Sequence, residues 1–255
     1  MNIPLPPGNI LQQMYLKERL RSLKCGEFIE VGCGQGYISK LLLDLGWRGT
    51  GYDLNPSVVK KATHLNQAAI DQCQYNVNNE DWFSANQDSK VDLVISCLVL
   101  EHLDDFKESC YFNKCRQMLK PGGRMILFVP GSPKHWGIED EIAGHYRRYT
   151  SSDMQQKLEQ FNFSQIHLAG LTYPLSNWLL PLSNFLVEKA EQKKLKSTIQ
   201  QRTQASGDRR VLFKTSFPFL LKLILNEAVM YPFYLLQKSN LNHPYALILY
   251  AEAKL

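Results

Sequence analysis

Apolar positions along the chain fall into two alternating rhythms. Ile10, Leu11, Met14, Leu16, Leu20 and Leu23 recur at helical spacing and predict an amphipathic helix from Asn9 to Lys24, capped by Asn9. The run Phe28-Ile29-Glu30-Val31 is short and nearly continuous, so residues 27–31 read as a buried strand. A helix over Gln35–Leu45, ended by Gly46, leads to a second strand over Gly49–Leu54. Asn55-Pro56 opens a helix to about Ala69, and Gln72–Val77 forms a weak third strand. Val91–Cys97 is a strong fourth strand, followed by a helix over Asp105–Leu119. Lys120-Pro121-Gly122-Gly123 carries turn chemistry, and Arg124–Pro130 is strand five. Strands alternating with helices of this length predict a parallel sheet with right-handed crossovers.

After Pro130 the rhythm changes. Gly131–Tyr149 is a polar and aromatic stretch that reads as a long loop; Thr150 caps a helix over Ser151–Gln160, and Phe163–Leu171 is strand six. Two apolar segments, Leu175–Val187 and Phe217–Leu236, then flank a basic stretch, and Tyr245–Ala253 is a last strand. Residues 1–171 and 244–255 are thus expected to form the core, with 172–243 a helical insertion before the last strand.

Composition narrows the picture. The chain has 255 residues, of which 44% are apolar, enough for a packed core. Its net charge of +5 is unevenly placed, with seven Lys/Arg against three acids between Glu188 and Arg210. The six cysteines show no CxxC pair, so reduced thiols and no metal site are expected, and with them a cytoplasmic setting. The first residues lack a basic start and an apolar core, unlike a signal peptide. No uncharged apolar run is long enough for a transmembrane helix.

The candidate chemistry lies where strand one meets its helix. In Glu30-Val31-Gly32-Cys33-Gly34-Gln35-Gly36-Tyr37, three glycines alternate between a buried strand and a helix N-terminus. Such a turn admits a ligand to the backbone and offers N–H groups at the positive end of a helix dipole. Asp53 follows at the end of the next strand, where a carboxylate can hold ribose hydroxyls. A dinucleotide fingerprint would require glycine where Tyr37 stands, which argues against a dehydrogenase.

Glu30–Gly36, Asp53, Ser96-Cys97-Leu98-Val99-Leu100-Glu101-His102-Leu103 and Leu119-Lys120-Pro121-Gly122-Gly123 are four separated motifs in a distinctive order. Through them the sequence resembles the class I S-adenosylmethionine-dependent methyltransferases, especially the small-molecule group that includes the ubiquinone-pathway O-methyltransferases. The match covers residues 27–171 and the last strand. It implies an α/β fold with a Rossmann-like, doubly wound, seven-stranded sheet, mostly parallel with a last antiparallel strand. It also implies that Glu30, Gly32, Cys33, Gly34, Gly36 and Tyr37 surround the methionine part of S-adenosyl-L-methionine. Asp53 would hold the ribose, Leu54 the adenine face, and Asn78 or Asn79 the adenine amine. Cys97 and Leu98 would line the site near the methionine. Gly144-His145-Tyr146-Arg147-Arg148-Tyr149 and the C-terminal insertion also resemble a subgroup of bacterial methyltransferases.

A hydroxyl acceptor would need a general base, and His145 is the first candidate, His102 the second. The alternative for His145 is a hydrogen bond that orders its loop, and for His102 a packing role at a helix start. Arg147 and Arg148 read either as a clamp for an anionic substrate or as a solvated pair. The insertion reads as a cap that shapes acceptor binding, as a surface that meets a membrane near a lipid-like acceptor, or as a dimer interface. The expected acceptor is a small or lipid-like molecule, methylated at oxygen. A nucleic-acid methyltransferase is disfavoured because Ser96-Cys97-Leu98-Val99 differs from the motifs used on base amines, and the basic run lacks interleaved aromatics. A non-catalytic, cofactor-binding regulator is the alternative class.

Overall fold

In the computed structural model, which describes residues 4–85, 89–198, 201–203 and 211–255, the short apolar runs become seven strands: β1 (Glu27–Val31), β2 (Arg48–Tyr52), β3 (Tyr75–Asn78), β4 (Val91–Cys97), β5 (Leu119–Pro130), β6 (Ser164–Leu171) and β7 (Ile248–Lys254). They form one sheet in the order β3-β2-β1-β4-β5-β7-β6. Phe28, Ile29, Leu93, Val94 and Ile95 are all buried. Burial on both faces is the condition of a central parallel strand, and it explains why these runs do not alternate with polar residues. The strands β1 to β5 pair in parallel. β7 runs against them: Gly122 N–H reaches Leu255 O near the start of β5, while Gly131 N–H, past its end, reaches Leu247 O just before β7. The doubly wound sheet with one antiparallel strand is the one expected.

Chain order reverses beside β1, whose neighbours are β2 and β4. Ligands in such sheets bind at the carboxyl ends of the strands flanking that reversal. β1 ends at Val31, so the glycine turn begins there.

The helices are α1 (Pro7–Leu20), α2 (Tyr37–Asp44), α3 (Pro56–Leu65), α4 (Gln67–Asp71), α5 (Asp105–Met118), α6 (Ile138–Ala143), α7 (Ser151–Gln160), α8 (Leu175–Glu191) and α9 (Glu227–Lys238). Three differences from expectation have local causes. α1 begins at Pro7 and not after Asn9, because proline's fixed φ suits a first helical position and its missing N–H loses nothing there. The helix after Pro56 breaks at Asn66, whose Nδ2 donates to Ala62 O at 3.0 Å and to Gly36 O at 3.2 Å. Lys120-Pro121-Gly122-Gly123 lies inside β5 as a bulge: Val91 pairs with Leu119, but Leu93 pairs with Arg124.

Contacts divide the chain into two compact units. One comprises the described residues of Met1–Ser22, Pro130–Thr150 and Ala169–Leu249. Within it α1 packs on α8 and α9, and α6 packs on α8. Buried Gln237 of α9 accepts from Thr172 N–H at 2.6 Å. The other comprises Leu23–Val129, Ser151–Leu168 and Tyr250–Leu255, among their described residues. Its interior holds Tyr111, whose hydroxyl donates to Ser96 Oγ at 2.8 Å, packed edge-on against Phe112. All six cysteines are free. Among the described residues no helix is long and apolar enough to cross a membrane. The basic run extends into residues 199–200 and 204–210, which lie outside the described residues.

Candidate cofactor and catalytic sites

The glycine turn is held by the end of β2. Gly32 N–H and Cys33 N–H both donate to Tyr52 O, at 2.8 and 2.9 Å. Gly32, Gly34 and Gly36 all adopt positive φ, at +70°, +52° and +82°. That alternation of left-handed residues is why three glycines are spaced by one. Gly36 is also packed tight, since a Cβ there would lie 2.6 Å from Asn66 Nδ2 and 3.0 Å from Ala62 Cα. Around Gly34, by contrast, a Cβ would meet nothing within 4 Å.

Asp53 completes the turn. Its Oδ2 accepts from Gly34 N–H at 2.9 Å and its Oδ1 from Asn55 N–H at 2.9 Å. Burial raises its carboxyl above the ordinary value, and these two N–H groups partly offset that. Asn79 Nδ2 donates to Asp53 O at 2.9 Å and Asn78 Nδ2 to Glu80 Oε1 at 3.1 Å, and the Asn78 side chain also bonds that of Tyr52. Leu54 is 55% exposed, and Leu98, at φ +59°, is 39% exposed. Leu98 is fixed by its N–H to Phe128 O at 2.8 Å. Cys33 is buried and Cys97 half-buried, and burial pushes both thiols up, which keeps them from acting as thiolate nucleophiles. Tyr37 opens α2 and is half-buried.

Glu30 is placed beneath this turn. Its side chain is buried, and its carboxyl takes a very short hydrogen bond from Ser39 Oγ, which lies 2.6 Å from Tyr75 Oη. Among the described residues no basic side chain pairs with it. Burial pushes its carboxyl up to about 8, so Glu30 is mostly protonated near neutral pH. Ser39 and Tyr75 were not singled out by motif. Ser39 is one of two buried residues of α2 and faces the sheet, a placement that only helix phase would suggest.

This geometry fits a nucleoside with two neighbouring hydroxyls. Asp53 keeps unused lone pairs on oriented oxygens, Gly34 leaves open space, Leu54 and Leu98 offer exposed apolar faces, and Asn79 offers a carbonyl.

The other unit carries His145. α6 ends on Gly144 at φ +76°, and the chain folds back so that His145 N–H bonds to Asp140 O at 2.9 Å. His145 Nδ1 lies 2.8 Å from Asp140 Oδ1. Arg148 Nε meets both oxygens of the same carboxylate at 2.9 and 3.0 Å, and Gly137 N–H donates to Oδ2 at 2.9 Å. Burial alone would raise the Asp140 carboxyl, but the bonds from His145 and Arg148 outweigh it and hold it below the usual carboxylate range. Arg148 also donates to Gly131 O at 3.1 Å. It is therefore committed within its own unit and is neither a substrate clamp nor half of a solvated pair. Asp140 was missed because the stretch read as loop, and only a helix brings residues 140, 145 and 148 to one point. His102 stands on a single 3-10 turn, Leu100–His102, in the unit that holds the glycine turn; it is half-buried, with its N–H on Val99 O at 3.0 Å.

Comparison with known proteins agrees with this architecture. Residues 11–168 match the family model described as "Methyltransferase domain". Ubiquinone biosynthesis O-methyltransferase of Xanthomonas oryzae pv. oryzae is 32% identical over 124 residues, which cover 49% of this chain and 51% of that protein. Its counterpart in Xanthomonas euvesicatoria pv. vesicatoria is 33% identical over 125 residues, with the same coverage. The chain thus spans about half the length of the curated relatives it matches. Among solved structures, a methyltransferase-like protein of Bacillus halodurans superposes with a TM-score of 0.58 at 16% identity, covering 95% of this chain and 98% of that one. Phosphoethanolamine N-methyltransferase 2 of Haemonchus contortus, solved with S-adenosylhomocysteine, gives 0.59 at 16% identity, over 95% of this chain and 52% of that one. These two likenesses concern the fold. With the family model matched over more than half of its length, the chain belongs to the methyltransferase-domain family.

Proposed function

We propose that this protein is an S-adenosyl-L-methionine-dependent methyltransferase that methylates a small or lipid-like acceptor at oxygen. The observation that carries the reading is the Gly34–Asp53 bond at the carboxyl end of the central strands, which orients a carboxylate that would receive ribose hydroxyls. The family match and the relatives' name support it. When bound, S-adenosylmethionine supplies a methyl group on a strongly electrophilic sulfonium. Asp53 would hold the ribose, Leu54 would pack on the adenine, and Asn78 or Asn79 would accept from its amine. Gly32, Cys33, Gly34, Gly36, Tyr37, Cys97 and Leu98 would line the methionine part. Neutral Glu30 would support the turn from below, through Ser39 and Tyr75.

Asp140 and His145 favour oxygen over other acceptor atoms. With Asp140 accepting from Nδ1, Nε2 would be the nitrogen that takes a proton from an acceptor hydroxyl. An amine acceptor would not require that arrangement. The domain reading follows: the core binds the cofactor, while residues 172–243, with the His145 segment, select the acceptor.

Calorimetric titration with S-adenosylmethionine and with NAD, followed by methyl-transfer assays on hydroxylated and amine acceptors, tests the reading. Binding of the first ligand only and turnover of a hydroxylated acceptor are expected. Preference for NAD, or binding with no turnover of any acceptor, would overturn it.

A further inference from the structure

α8 turns the wrong side to solvent. Trp178, Leu182 and Phe185 lie on one face at helical spacing and are exposed, and Lys189 continues the row. The opposite row, Ser183, Val187 and Glu191, is buried, with Ser183 Oγ donating to Glu139 Oε1 at 3.2 Å. A helix of a water-soluble surface places its apolar stripe inward. The same unit exposes further apolar side chains. In the 3-10 turn Phe219–Leu223, Leu220 is 77% and Leu223 78% exposed. On α9, Tyr231 and Leu235 are exposed although Met230, Tyr234 and Gln237 already fill its inward row. Large apolar side chains exposed on three elements of one unit mark an interaction surface.

Charge indicates what covers it. Residues 175–238 hold ten Lys or Arg against four acids, more than the chain's whole formal excess of +5. Lys189, Lys193 and Lys222 are exposed and form no ion pair among the described residues. Lys222 Nζ lies 5.9 Å from the Phe219 ring centroid, an ammonium set over the apolar turn as in a snorkelling side chain. A second copy of this chain would bring the same cationic excess against itself. No described helix is suited to span a bilayer. Exposed apolar and aromatic side chains ringed by unpaired lysines, without a span, match the interface of an anionic membrane.

We propose that the outward faces of α8, the Phe219–Leu223 turn and α9 dock this protein on an anionic lipid surface, with Leu220 and Leu223 entering the acyl boundary. The inference stands on exposure and charge, independently of the methyl-transfer reading.

Co-sedimentation of the full chain with phosphatidylcholine vesicles, with and without phosphatidylglycerol, tests it. Binding to the anionic vesicles that weakens with salt is expected, and Leu220→Ser combined with Leu223→Ser should weaken it about tenfold or more. The melting temperature of the same variant reports whether it stays folded; Lys222→Glu is a second, surface-only variant that should also weaken binding. A protein that stays in the supernatant, that binds both vesicle types equally, or whose variants bind as the parent does, would overturn the proposal. So would a dimer seen by light scattering that the leucine variant dissolves. None of these outcomes bears on cofactor titration, so the two readings fail separately.

Discussion

His145 Nδ1 lies 2.8 Å from Oδ1 of Asp140, a carboxylate that also receives Arg148 and the Gly137 N–H. In the proposed mechanism the carboxylate holds Nδ1–H and Nε2 is the nitrogen that takes the acceptor's proton. Replacing His145 by alanine should lower methyl transfer to a hydroxyl by about 10²–10⁴-fold while cofactor affinity stays unchanged. Equal turnover in the variant would remove His145 as the base.

Asp140 is tied to stability as well as to chemistry. Its carboxyl is held below the usual range in the folded protein, so its contribution is present at neutral pH and is lost as pH falls through the folded value. Asp140→Asn leaves Arg148 buried beside a neutral partner and should destabilise by about 3–5 kcal/mol. Denaturant melts at neutral and acid pH check both statements: the parent should lose stability on acidification, and the variant should lose less.

Glu30 has the opposite sign. Its carboxyl titrates at about 8 in the folded protein and near 4.5 without burial, so the folded state holds the extra proton between those values. Stability from this group is full below the lower value and is lost as pH rises through the upper one. Glu30→Gln keeps an acceptor for Ser39 and removes the titration. The variant should be more stable than the parent above pH 8, by on the order of 3–5 kcal/mol at most. Parallel stability curves for the two proteins across this range would contradict the assignment.

Gly34 and Gly36 separate ligand space from packing space. Both need positive φ, but a Cβ at Gly36 strikes Asn66 and Ala62, whereas one at Gly34 meets nothing. Gly36→Ala should therefore lower stability by about 2–4 kcal/mol. Gly34→Ala should cost only about 1 kcal/mol of left-handed strain yet sharply weaken binding of S-adenosylmethionine. Thermal melts and calorimetric titrations of the pair distinguish the roles, and intact binding by the Gly34 variant would show that the open space is not the cofactor's.

Asp53→Asn tests the ribose contact. An amide in place of the carboxylate sets an NH₂ group against either Gly34 N–H or Asn55 N–H and removes the charge. Affinity for S-adenosylmethionine should fall about 10- to 100-fold, the worth of one or two charge-assisted hydrogen bonds. Adenosine titrated alongside should lose a similar factor, since the loss belongs to the sugar.

The chain alone determined the alternation of strand and helix, the glycine turn and Asp53. Each is written in a few adjacent residues: both-face burial requires continuous apolar runs such as Leu93-Val94-Ile95, and left-handed backbone requires glycine. What lay beyond reach were relations between residues that only folding brings together. Gly131–Tyr149 read as loop, so the α6 turn that carries Asp140 to His145 and Arg148 was invisible, and Arg148 looked available for substrate. Glu30 was legible only as the residue that opens the glycine turn; its partners Ser39 and Tyr75 are set by the helix phase of α2 and by β3. The apolar segments after Leu175 were plain in the sequence, but periodicity shows only that a helix has an apolar side. Which side faces water is decided by what the rest of the unit packs against, and here the tertiary structure left Trp178, Leu182 and Phe185 outside.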